Sequence, residues 1–156
     1  MGSVTEQHGM KERLRTDLNA AMRARDQVRL RALRMALTSI QTEEVAGAVA
    51  RELSDDEIVK VLTREAKKRR EAAEAFEAAG RAEQAAAERA EGKVLAGYLP
   101  TQLTDEELES LVASAIAATG ASGMPAMGQV MKAVTPQVAG RAEGARVAAE
   151  VRRQLG

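Results

Sequence analysis

The sequence predicts an all-α fold: an amino-terminal four-helix hairpin bundle over residues 10–100 and a small three-helix carboxy-terminal domain over residues 104–156. Three observations predict it. The chain is rich in Ala, Leu, Glu and Arg, all good helix formers, and its only aromatic residues are Phe76 and Tyr98, so a core must be built from small and aliphatic side chains. Apolar residues recur at spacings of three and four along most of the chain. Two capping boxes, Ser54 with Glu57 and Thr104 with Glu107, mark helix starts, each with a hydrophobic staple: Leu53 with Ile58 and Leu103 with Leu108.

In chain order, residues 1–9 read as a loose tail, without the charged and apolar segments of a signal peptide. Met10, Leu14, Leu18 and Ala21 then predict a first helix to about Ala24. Asp26 is placed to cap a second, whose Leu30, Leu33, Leu37 and Ile40 form a narrow packing seam. That helix should fray around Ala46-Gly47. The third starts after Ser54 and carries Ile58, Leu62, Ala66, Ala73 and Phe76 on one face, interrupted by Arg69. An arginine there must reach solvent, pair with a carboxylate or bind something, and snorkelling to the bundle surface is the expected outcome.

Gly80 ends the third helix, and a fourth, Arg81 to Leu99, has an alanine-rich middle that permits close backbone approach. Pro100 stops it, and the stretch from Pro100 to Leu103 is the expected domain boundary. Past it, Leu108, Leu111, Val112, Ala115 and Ile116 share one face of a fifth helix ending at Thr119-Gly120. Pro125 fits the first turn of the sixth, which carries Met127, Val130, Met131 and Val134. Pro136 should kink or end it within a turn, with Gly140 as the left-handed cap. Val147, Ala148, Val151 and Leu155 form the inner face of the last helix.

Basic and acidic residues number 23 each, so the chain as a whole has no strong attraction for nucleic acid. Their distribution is uneven: Lys11 to Arg34 holds eight basic residues against three acidic. Lys67, Lys68, Arg69 and Arg70 form a consecutive basic run. The stretch from Gly128 to Gly156 holds five against two, namely Lys132, Arg141, Arg146, Arg152 and Arg153. Solvated faces and interhelical ion pairs are the ordinary reason for such segregation.

Catalytic signatures are missing. With no cysteine there is no thiolate nucleophile or thiolate metal site, and His8, the single histidine, lies in the tail. None of the serines sits in a glycine-rich nucleophile loop, and Gly140 to Gly144 lacks the strand context and the Lys-Ser/Thr of a phosphate-binding loop. No cofactor, metal or catalytic residue is therefore expected. Lack of cysteine also fits a reducing cytoplasm, and no apolar run approaches the roughly 18 to 20 residues that span a bilayer, so a cytoplasmic protein without a membrane partner is expected.

Four stretches, RLRALRMALTSIQTEE, REAKKRREAAEAF, GYLPTQLTDEEL and MGQVMKAVTPQVAGRAEGARVAAEVRRQL, resemble the GatB/YqeY family, the last two being specific in combination. The resemblance covers about Met10 to Leu155. Glu143 stands where that family commonly has aspartate. The resemblance implies a freestanding helical protein whose small terminal domain is similar to the tRNA-contacting tail of GatB, a subunit of tRNA-dependent amidotransferases. It also implies a carbon-nitrogen ligase label with glutamine as amide donor, which describes the larger enzyme, and a partner that is tRNA or an aminoacyl-tRNA enzyme.

Two readings follow. In the first, a non-catalytic accessory module contacts RNA phosphates through Lys132, Arg141, Arg146, Arg152 and Arg153, with the 67–70 run as a secondary patch. In the second, a helical adaptor docks a partner helix or an acidic surface through the Leu30 to Ile40 seam or the same run.

Overall fold

The computed structural model describes residues 9–156, so the tail reading lies outside the described residues except at Gly9. These residues form seven α-helices, one 3-10 turn and no strand, an all-helical chain. Two compact units divide it, Met1–Leu99 and Pro100–Gly156.

The first unit holds α1 (Met10–Ala24), α2 (Gln27–Glu44), α3 (Asp55–Ala78) and α4 (Ala82–Ala96). Asp26 caps α2 by accepting the Arg29 N–H at 3.2 Å, and Ser54 caps α3 through a complete capping box with Glu57. The α1–α2 corner turns at Arg25, whose φ of 55° places a non-glycine residue in the left-handed region. Leu14, Leu33, Ile40, Ile58, Leu62 and Leu95 are fully buried in one core, each contributing about 1.5–3 kcal/mol of burial free energy.

The packing seam of α2 is broader than its leucines indicate. Ala32 and Ala36 are buried beside Leu33 and Ile40, whereas Leu30 and Leu37 are only partly covered. Alanine has no side-chain entropy to lose, so it allows helices to approach without cost and leaves the leucines at the rim. The long α3–α4 pairing uses the same device. At Gly92 an added Cβ would meet Cβ of Arg69 at 3.4 Å, the near edge of ordinary van der Waals contact, so the two backbones approach closely there.

Three glutamates lie in this unit's interior, and each has a cationic partner. Lys11 Nζ holds Glu44 at 2.7 Å, Lys68 Nζ lies 3.3 Å from Glu65, and Arg31 lies 3.4 Å from Glu91. Buried carboxylates without such partners are costly enough to unfold a small domain.

In the second unit, α5 (Asp105–Thr119) starts at the Thr104–Glu107 capping box and ends at Gly120, with φ 65°. A 3-10 turn, Met124–Ala126, precedes α6 (Met127–Val138), and α7 (Gly144–Leu155) closes the chain. Pro125 thus sits in the 3-10 turn rather than in the first turn of α6, as its fixed φ and missing N–H both permit. Helix α6 continues two residues past Pro136. The left-handed cap position after it belongs to Ala139, φ 49°, followed by Gly140 at 79°. Val112, Val130, Val134 and Val151 are fully buried at the centre of this unit, with Leu103 and Leu108 in the same cluster. The segment before α5 is tied down by Leu103 N–H donating to the Arg141 carbonyl at 2.7 Å.

No single helix among the described residues is long and apolar enough to cross a membrane. The α5 and 124–138 segments together carry that apolar length only across a 95° bend, and their apolar side chains fill the core just described.

Candidate nucleic-acid interface

The candidate site rests on α6, α7 and the corner between them. Helix α7 is amphipathic: Val147, Val151 and Leu155 are buried, and this commits Arg146, Arg152 and Arg153 to its other faces. Arg146 and Arg153, seven residues apart, fall on one side of the helix. That side runs along α5.

Arg146 Nη2 lies 2.8 Å from Asp105, and Arg153 Nη2 lies 3.4 Å from Glu109, so two turns of α7 are matched to one turn of α5 by charge. Gln154 adds a hydrogen bond from Nε2 to the Glu109 carbonyl at 2.9 Å. Arg153 also pairs with Glu150 on its own helix at 2.6 Å. That hydrogen-bonded pairing raises the Arg153 guanidinium above its ordinary pKa and lowers the Glu150 carboxyl below the usual range.

Arg141 does something different. Its Nε donates to the Val138 carbonyl at 3.1 Å and its Nη2 to the Gln137 carbonyl at 2.7 Å. The guanidinium therefore satisfies acceptors that the end of α6 leaves without intrahelical donors. Lys132 and Arg152 are exposed and have no carboxylate partner among the described residues.

The five basic residues read from the sequence thus separate by role. Two are open, two sit on the α5–α7 seam as surface ion pairs, and one caps a helix. No periodicity argument distinguishes these roles, because the partners Asp105, Glu109 and the end of α6 are contributed by other segments.

The 67–70 run is not one continuous patch: Lys67, Lys68 and Arg70 are exposed, whereas Arg69 is not. Consecutive helical residues point about 100° apart, so four of them circle the helix. Lys67 lies 3.9 Å from Glu71, Lys68 pairs with the buried Glu65, and Arg69 turns into the α3–α4 interface. There its Nη1 lies 3.2 Å from Glu88 and 3.9 Å from Glu91, with only 19 % of its side chain exposed. The expectation that Arg69 snorkels to solvent is corrected: α4 brings two carboxylates to it, which the alanine-rich composition of α4 gave no reason to expect at that depth. Among the described residues, no group of three metal-ligating side chains comes together.

Sequence reasoning missed one arrangement, a groove of about 470 Å³ between α1 and α2 that brings Arg15 and Arg34 together. The basic excess of Lys11 to Arg34 and the Leu30 to Ile40 docking seam were its signals, while the shared face itself arises from hairpin pairing.

A family model described as Yqey-like protein matches residues 11–155. No curated protein matches the chain.

Proposed function

The chain belongs to the YqeY-like family, which is related to the carboxy-terminal region of GatB, and from that premise we propose that it is a non-catalytic, cytoplasmic tRNA-binding accessory module. In this reading it is built as a four-helix hairpin bundle followed by a three-helix RNA-contacting domain. The observation that carries the proposal is the pair of exposed, carboxylate-free cations Lys132 and Arg152 on the small unit.

Arg146 and Arg153 join them by exchange. Surface ion pairs of this kind contribute only about 0–1 kcal/mol, so a phosphate can replace Asp105 or Glu109 at small cost. Asp105 is 96 % exposed, which keeps the exchange open to solvent. Arg141 acts as the residue that fixes the α6–α7 corner and makes no phosphate contact.

Without aromatic platforms on this unit, binding works through backbone phosphates and shape, and base stacking has no part. The test is a mobility-shift titration of total tRNA at two salt concentrations. Binding at low salt that weakens steeply at high salt supports the reading. Lys132→Glu with Arg152→Glu should weaken it and flatten the salt dependence by roughly one unit of slope for each cation removed from a phosphate. No binding at low salt ends it.

A further inference from the structure

The α1–α2 groove combines an apolar floor with a basic rim. Leu18 and Leu37 line it, both only partly buried against the core. Met22, four residues after Leu18 and so on the same face of α1, is 50 % exposed. Leu30, seven residues before Leu37, is also partly covered. Seven residues of helix span about 10 Å, the reach of an i, i+7 pair on a docked helix.

The charges around this floor are unbalanced. Lys11, Arg15 and Arg34 line the groove against a single carboxylate, Glu44. That carboxylate is already occupied: Lys11 Nζ holds both its oxygens, at 2.7 and 2.9 Å, and the Leu53 N–H donates to it at 3.1 Å. Arg15 and Arg34 are exposed and make no close ion pair among the described residues, Arg15 adding to Lys11 only as a more distant charge that helps hold the Glu44 carboxyl below the usual range. Two arginines thus border a strip of partly covered aliphatic side chains that ends at the exposed Met22.

We propose that this groove receives one acidic amphipathic helix of a protein partner. The helix lays its aliphatic face on Leu18, Met22, Leu30 and Leu37 and pairs flanking carboxylates with Arg15 and Arg34. An RNA backbone complements the arginines but offers nothing to the aliphatic floor, whereas an amphipathic helix complements both. This site is in the first unit and does not depend on the RNA contacts of the second.

The experiment uses the full chain and a labelled probe helix of about five turns, with leucines at i, i+3, i+4 and i+7 and glutamates on either flank, followed by fluorescence anisotropy. A second probe carries lysines in place of the glutamates. The acidic probe should bind at least about tenfold more tightly than the basic one, a ratio that two rim charges support. Arg15→Glu with Arg34→Glu should reverse the preference, and the exposed substitution Met22→Asp should weaken both probes, with far-UV circular dichroism confirming that each variant is folded.

Equal binding of the two probes, or no saturable binding, overturns the proposal. So does displacement of the acidic probe by tRNA whose own affinity falls in the Arg15→Glu, Arg34→Glu variant, an outcome that assigns the groove to RNA. Because the RNA reading is tested at Lys132 and Arg152, failure of either leaves the other standing.

Discussion

Replacing Arg69 by Met removes a charge from the α3–α4 interface while keeping most of the aliphatic stem that packs beside Gly92. The consequence follows from what surrounds it. Glu88 and Glu91, with side chains 20 % and 6 % exposed, lose their shared cation. Only Arg31 remains for Glu91, at 3.4 Å and with its own side chain 67 % exposed. Removing one partner of a buried pair costs about 3–5 kcal/mol. Two features place this case at the lower end: Glu91 retains Arg31, and Arg69 Nε and Glu88 Oε2 lack a well-aligned hydrogen bond despite the 3.2 Å ion-pair contact. We expect a loss of about 3 kcal/mol, a large part of the 5–15 kcal/mol typical of a domain. Urea unfolding followed by far-UV circular dichroism suits a chain without tryptophan. Adding Glu88→Gln and Glu91→Gln in the Met background should recover at least about 1 kcal/mol, because the stranded charges are then gone. If Arg69→Met lies within about 0.5 kcal/mol of the parent, Arg69 behaves as a surface residue and Glu88 and Glu91 do not depend on its charge.

Three further outcomes are expected. Ala139→Gly should stabilise the second unit by about 1 kcal/mol in thermal unfolding, since Ala139 holds φ 49° where glycine has no penalty. Burial and, next, the hydrogen bond it donates to Asp17 push the Tyr98 hydroxyl from 10.0 up to about 12. Its stabilising contribution is therefore intact below about pH 10 and disappears as the pH rises toward about 12. Because Tyr98 is the single tyrosine, phenolate absorbance reports it directly, and ionisation near 10 would contradict the assignment. The Arg51 guanidinium and the capping-box hydrogen bonds hold Glu57 down at about 2 rather than 4.5. Its contribution is complete above about pH 4.5 and is lost as the pH falls toward about 2, a midpoint that carboxyl NMR titration can check.

Legibility in the sequence follows the range of the interaction. Caps and helix starts were readable because Ser54–Glu57 and Thr104–Glu107 satisfy their own neighbouring backbone groups within four residues. The all-helical class was readable for the same local reason. Features that depend on a partner from another segment were not. Arg69 looked like a defect in an apolar face until α4 supplied Glu88 and Glu91. Arg141 was readable as a basic residue of the terminal domain but not as one whose Nε and Nη2 serve the end of α6. Arg146 and Arg153 were readable as one face but not as the face that meets Asp105 and Glu109. Alanine hid the true breadth of the α2 seam, because Ala32 and Ala36 carry too little apolar surface to stand out in a periodic pattern yet fit where backbones approach.

The most direct test of the accessory-module reading is the nucleic acid carried by the chain when it is purified at low salt. The parent should retain ribonuclease-sensitive material of tRNA size that is released by high salt, and the Lys132→Glu, Arg152→Glu variant should retain far less. A parent free of nucleic acid at low salt, or one whose bound RNA is unchanged by that double substitution, contradicts it.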